Sequence, residues 1–120
     1  MTKSKGYIAW LDQNGVLRAE LVDGWVEGDI LVHRILRSSI DGVQKYSTTY
    51  WCATYLPLGC RMSNVLSNTR AKAFGVAKIC MLPLDFDDIV LRYTDTPDYQ
   101  LFDRLREEAI NAASRGHNAD

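Results

Sequence analysis

The sequence predicts an α+β domain: a four- or five-stranded antiparallel β-meander in the N-terminal half, packed against two C-terminal helices. Three observations carry this. Turn-forming pairs divide residues 7–55 into runs rich in β-branched and aromatic residues, which favour strands. After Pro57 and Gly59 the apolar spacing lengthens from the period of a strand to that of a helix. Thr96-Pro97 then opens a segment with a cap, a proline in the first turn and an apolar stripe.

The first strand is expected over residues 7–11. Asp12-Gln13-Asn14-Gly15 follows as a hairpin signal, because Asn-Gly tolerates the positive φ that a tight turn needs. Residues 16–26 form the second strand, and Glu27-Gly28-Asp29 reads as a three-residue turn. Residues 30–40 form the third, Asp41-Gly42 a two-residue turn, and residues 45–55 the fourth. Ser63 or Ser67 is expected to cap a helix running to about Met81, where Pro83 stops it. The alternation of Ile89, Leu91 and Tyr93 reads as a strand. The last helix carries Leu101, Phe102, Leu105, Ala109 and Ala112 on one side, with Arg115 and Gly116 closing it. The whole chain, 1–120, is expected to make one globular domain with residues 1–6 and 116–120 frayed.

These turn lengths imply a register. If Ile40 faces Val43, His33 faces Tyr50, Leu31 faces Cys52 and Arg37 faces Tyr46. If Val26 faces Ile30, Asp23 faces His33 and Trp25 faces Leu31. Side chains on one face recur with period two. One face therefore carries Ile8, Trp10, Leu17, Ala19, Leu21, Asp23, Trp25, Leu31, His33, Ile35, Arg37, Tyr46, Thr48, Tyr50 and Cys52. Asp23, His33 and Tyr50 make a polar row across it. A carboxylate beside an imidazole sets its tautomer and favours its charged form, so the row is a candidate acid/base set. The plainer reading, and the favoured one, is a satisfied polar row that holds register by hydrogen bonds. Trp25, His33, Arg37, Tyr46 and Tyr50 are the candidate ligand-binding residues on this face. The opposite face (Val22, Val26, Ile30, Val32, Leu36, Trp51, Ala53) is also apolar. A sheet apolar on both faces needs two covers, and a second subunit is the expected second one.

The 120 residues hold 14 Lys+Arg, 15 Asp+Glu and a net charge of −1, which argues against a dedicated nucleic-acid binder. The charges are segregated. Residues 42–84 hold no acid but carry Lys45, Arg61, Arg70, Lys72 and Lys78, whereas residues 85–108 hold Asp85, Asp87, Asp88, Asp95, Asp98, Asp103, Glu107 and Glu108. The basic 61–78 segment, with aromatics before it, is a candidate nucleic-acid surface. Cys60, read as lying just before a helix start beside Arg61, is a candidate for a lowered thiol pKa. Asp85-Phe86-Asp87-Asp88 lacks the glycine and distal glutamate of a calcium loop, and no metal or other cofactor is expected. Three cysteines without a CxxC pair, no apolar run of about 18 residues and no signal peptide point to a reduced, cytoplasmic, membrane-free setting.

No phosphate loop, GxSxG or HExxH motif is present. The expectation is a non-enzymatic module, homodimeric, that binds a protein or small ligand through its sheet. The alternatives are a small enzyme using Asp23, His33 and Tyr50 in a cleft between sheet and helices, and a weak nucleic-acid binder.

Overall fold

A computed structural model describes residues 1–12, 14–38, 44–63 and 65–118, with side chains described for all of these but 36–38, 44–49 and 116–118. Five antiparallel strands follow one another in chain order across one sheet: β1 (Thr2–Leu11), β2 (Leu17–Glu27), β3 (Ile30–Ser38), β4 (Gln44–Tyr55) and β5 (Cys60–Arg61). Three helices follow: α1 (Arg70–Cys80), α2 (Phe86–Thr94) and α3 (Pro97–Asn118). The Ala9 N–H donates to Gly59 O at 2.8 Å, so the sheet curls until its first strand meets the turn before its last.

Two helices are as the sequence predicts in kind, but their ends differ. The α1 cap is Thr69, whose hydroxyl accepts from the Lys72 N–H at 3.2 Å, rather than Ser63 or Ser67. Ser67 instead forms a β-bridge with Trp51, and the Ser63 hydroxyl accepts from the Val65 N–H at 3.0 Å. The Thr96 hydroxyl caps α3 by accepting from the Tyr99 N–H at 3.3 Å. The helix runs past Arg115-Gly116 to Asn118. At the other terminus β1 begins at Thr2, so the first six residues are mostly strand.

Residues 86–94 are helix, not strand. Ile89 and Leu91, two of the three residues in the apparent alternation, are exposed, whereas Phe86, Val90 and Tyr93 are half-buried at helical spacing. Asp87 and Asp88 sit in the first turn, where carboxylates favour the positive end of the dipole. Asp88 also pairs with Arg92 one turn on, at 2.7 Å.

Both turns that flank β2 are one residue away from expectation. Leu11 faces Leu17 across a five-residue loop. Asp12 organises it: Oδ1 accepts from the Asn14 and Val16 N–H groups at 2.8 and 3.0 Å, and Oδ2 from Arg18 at 2.9 Å. Glu27 faces Ile30 across a two-residue turn, with Gly28 at φ +59° in the first central position, as a type II′ turn requires. A one-residue slip turns a strand over. Two slips, one on each side, turn over β2 alone. Val22 and Val26 therefore share a face with Ile8, Leu31 and His33, while Asp23 and Trp25 lie on the other with Val32 and Trp51.

The β3–β4 register is also corrected. His33 pairs with Cys52 rather than Tyr50, and Leu31 with Thr54 rather than Cys52. Arg37 pairs with Lys45 and Tyr46 with Leu36, beyond a bulge between Arg34 and Leu36. The Asp41-Gly42 turn and the Ile40–Val43 pair lie outside the described residues.

Each face has its own core. On one, Ile30, Val32 and Ala53 pack with Ala73 and Ala77 of α1, whose small side chains let the helix approach the sheet closely, and with half-buried Trp51, Met62, Phe74 and Met81. On the other, Ile8, Val22 and Leu31 pack with Val26 and Leu56. Helix α3 lies against β2 and reaches the turn beside Leu56, where Arg106 donates to Leu56 O at 3.1 Å. Both cores thus have helices of the same chain beside them. The expectation that one face is left for a second subunit loses this support.

Candidate functional site

The polar row expected from the sequence is dispersed. Asp23 is on the face away from His33, where it faces Lys5 across β1 at 3.7 Å. Gly24 takes its place beside the imidazole, and a Cβ there would collide with Val32 O. Tyr50 lies in a separate groove with Val65, Leu66, Lys72 and Val76.

His33 is enclosed. Its Nδ1–H donates to Arg34 O at 2.9 Å and its Nε2 accepts from the Thr54 hydroxyl at 2.8 Å. Both ring nitrogens are thereby satisfied by the neutral tautomer. Burial holds its pKa below the ordinary 6.5, and the Arg61 charge adds to that. Cys52 Sγ lies 3.6 Å from Nε2, but burial pushes this thiol up to about 11, which leaves it protonated and poorly nucleophilic. This arrangement holds a core together and offers no displaced proton to a ligand.

Cys60 also departs from expectation. It begins β5, and α1 starts ten positions later, at Arg70, so Cys60 does not directly precede a helix. Burial raises its pKa, against a hydrogen bond from Tyr93. It lines an apolar cavity of about 290 Å³ with Tyr55, Met62, Cys80, Phe86 and Val90. Among the described residues, no group of three or more His, Cys, Asp and Glu is arranged to hold a metal ion, and no helix is long and apolar enough to cross a membrane.

The chemically distinctive place is on the face of Val32, beyond the end of α1. There β2 and β3 pair over Trp25–Glu27 and Ile30–Val32. Past that ladder, Lys3, Asp23, Gly24, Trp25, Arg34 and Trp51 line an open cavity of about 250 Å³. Arg70, at the start of α1, lays its guanidinium over Trp25 at 4.0 Å from the ring centre and over Trp51 at 5.8 Å. Arg34 lies over Trp51 at 4.5 Å. The result is a row of alternating indoles and guanidiniums, Trp25–Arg70–Trp51–Arg34. Stacking of this kind fixes the orientation of a guanidinium and so of its edge N–H groups. Lys3 and Lys5 on β1 extend the cationic surface, and Asp23 contributes one carboxylate to it.

Of the residues singled out from sequence for ligand binding, Trp25 is here. His33 and Tyr50 are elsewhere, and the side chains of Arg37 and Tyr46 lie outside the described ones. Lys3, Arg34, Trp51 and Arg70 were not anticipated as one site. The cation-rich, acid-free 42–84 segment is the sequence signal that bore on Arg70, but it holds no indication that Arg70 returns to Trp25, 45 positions earlier. Searches of family models, of curated proteins and of solved structures find no match to this chain.

Proposed function

We propose that this chain is a non-catalytic binding module whose recognition face is the Trp25–Trp51 side of the sheet. The observation that carries the reading is the row of two indoles and two guanidiniums beside an open cavity. Indoles supply much contact area with little conformational entropy to lose, and tryptophan and arginine are both enriched among the residues that carry binding energy. The satisfied state of His33 and the high thiol pKa of Cys52 favour this reading over the acid/base one. The surface is cationic on a chain of net charge −1, so an anionic partner suits it.

The test is quenching of tryptophan fluorescence by dextran sulfate, a generic polyanion, in a Trp10→Phe background that leaves Trp25 and Trp51 as reporters. Saturable quenching is expected at low salt. Arg70→Gln should weaken it at least five-fold, and Arg92→Gln on α2, the same charge change elsewhere, should leave it unchanged. Equal effects from both variants would sink the assignment to this face.

A second surface supports self-association. Ile79 on α1 and Leu82 and Leu84 beyond its end are exposed, and so are Val65 and Leu66 before it. Contiguous exposed aliphatics mark interfaces. Exposed Lys72 and Lys78 accompany them on α1, whereas α2 presents Asp87 and Asp88. A two-fold arrangement that sets α1 of one copy against α2 of the other joins opposite charges around an apolar strip. Light scattering on a sizing column should give twice the 13.6 kDa chain mass at micromolar concentration. Leu82→Glu should return the protein to monomer with an unchanged far-UV circular dichroism spectrum, and a wild-type monomer would refute the arrangement.

A further inference from the structure

We infer that the open edge of β1 takes up an extended acidic peptide as a further strand, antiparallel to β1, with carboxylates two positions apart facing Lys3 and Lys5. The inference adds a second surface to the binding-module reading and does not depend on the Arg70 row.

Backbone geometry fixes which groups of β1 look outward. In an antiparallel ladder, residues alternate between turning their N–H and C=O groups toward the neighbouring strand and turning them away. The Asp12 N–H donates to Val16 O at 3.0 Å, in the same register that pairs Leu11 with Leu17. The even-numbered residues of β1 therefore bond to β2. Ala9, an odd one, sends its N–H away from β2 to Gly59 O. By the same alternation Lys3, Lys5 and Tyr7 turn their N–H and C=O groups to the outer edge. Among the described residues these groups have no backbone partner, and residues 2–5 are exposed.

Edge strands are kept from pairing by shortness, a bulge, a proline, a cover or lysines. β1 is ten residues long, its register with β2 is unbroken and it holds no proline. Its lysines guard it selectively. Lys3, Lys5 and Tyr7 project on one face, opposite Trp25, Asp23 and Leu21 of β2. A second copy pairing antiparallel about Lys3, Ser4 or Lys5 would set lysine against lysine, which is unfavourable. About Gly6 or Tyr7 it would need the Ala9 N–H, which Gly59 already holds.

An acidic strand meets neither obstacle, so the device that turns away a second copy favours a partner of opposite charge. A residue that exchanges hydrogen bonds with Lys3 or Lys5 sets its side chain beside that lysine on the same face. The matching sequence therefore reads apolar-x-acid-x-acid, opposite Tyr7, Lys5 and Lys3 in turn. Among the described residues Lys3 is in no ion pair with a carboxylate. Lys5 lies 3.7 Å from Asp23 in an exposed pair, and an ammonium has donors to spare for a second carboxylate.

The experiment is fluorescence anisotropy with a labelled peptide, Thr-Ile-Val-Glu-Thr-Glu-Thr, at low salt. Saturable binding is expected. N-methylation of the first glutamate, whose N–H would donate to Lys5 O, should weaken binding about ten-fold, through the lost hydrogen bond and the blocked approach. N-methylation of the threonine between the glutamates, whose N–H would point away from β1, should change it less than about two-fold. Moving the glutamates together, in Thr-Ile-Val-Glu-Glu-Thr-Thr, leaves the lysine face a single carboxylate and should also weaken binding. Lys3→Glu should weaken binding of the parent peptide about five-fold. A peptide with lysine in place of the second glutamate should bind that variant better than it binds wild type.

No anisotropy change at about 20 mM salt, where charge attraction is least screened, overturns the inference. So do equal losses from the two N-methylations, which would mean attraction by charge without strand pairing. So does a charge reversal that restores nothing. The N-methylated pair leaves the protein unaltered and decides the matter if Lys3→Glu fails to fold. Dextran sulfate quenching that depends on Arg70 while every peptide fails would leave the binding-module reading standing, and loss of both would remove both.

Discussion

Phe102→Ala is expected to cost about 3–5 kcal/mol, the range for truncating a fully buried aromatic. Phe102 is 1% exposed and the largest wholly buried side chain among the described residues. It ties α3 to the turn before β5, because its ring fills the space above Gly59. A Cβ at Gly59 would collide with that ring, and Gly59 has φ +67°, a region that L side chains enter at a cost of about 1–2 kcal/mol. Gly59→Ala alone should therefore cost about 2–4 kcal/mol, from strain and overpacking together. In the Phe102→Ala background the collision is gone, and the same substitution should cost about 1–2 kcal/mol. Urea unfolding of the four proteins measures the cycle. Additive costs would show that the ring and the glycine do not share this space.

His33→Ala should cost about 2–4 kcal/mol, from a lost buried ring and from the Thr54 hydroxyl and Arg34 carbonyl left without their partner. The pH dependence is the more specific expectation. Desolvation keeps the folded pKa below the ordinary 6.5, with the Arg61 charge acting in the same direction and the Arg34 carbonyl opposing. In the window from 6.5 down to that lowered value the unfolded chain binds more protons than the folded one. Stability therefore rises with pH through this window and is lost as pH falls through it. Cys52, the other titratable group against the ring, stays a neutral thiol throughout and adds no slope there. The difference in unfolding free energy between wild type and His33→Phe, followed from pH 7.5 to 5, should show this loss in the wild type. Parallel curves would mean that the imidazole titrates alike in both states. An acid/base role for His33 instead predicts an unchanged unfolding midpoint in His33→Ala.

Much of the architecture was legible because it rests on local chemistry. The meander follows from its turn residues and β-branched runs, and the start of α3 from Thr96, Pro97 and Asp98. Helix α2 is ambiguous in the sequence because a nine-residue segment holds apolar residues at both spacings: Ile89, Leu91 and Tyr93 for a strand, Phe86, Val90 and Tyr93 for a helix. Packing against Tyr55, whose ring meets Phe86 edge-on at 5.5 Å, goes with the second set.

What the sequence by itself determined is the class of the domain, the order of its strands and the segregation of its charge. The facing of β2 was decided in three dimensions. Asp12 gathers residues 12–16 into a five-residue loop where the sequence offered the four residues Asp12-Gln13-Asn14-Gly15, and Gly28-Asp29 alone make the next turn, without Glu27. Each difference is one residue, within what turn composition can distinguish, yet each inverts every side chain of a strand relative to its neighbour. That inversion separates Asp23 from His33 and sets it beside Trp25. The indole–guanidinium row then needs Arg70, which reaches Trp25 because Ala73 and Ala77 let α1 lie close on the sheet. Such long-range approach depends on how two packed surfaces fit, and no local pattern encodes it.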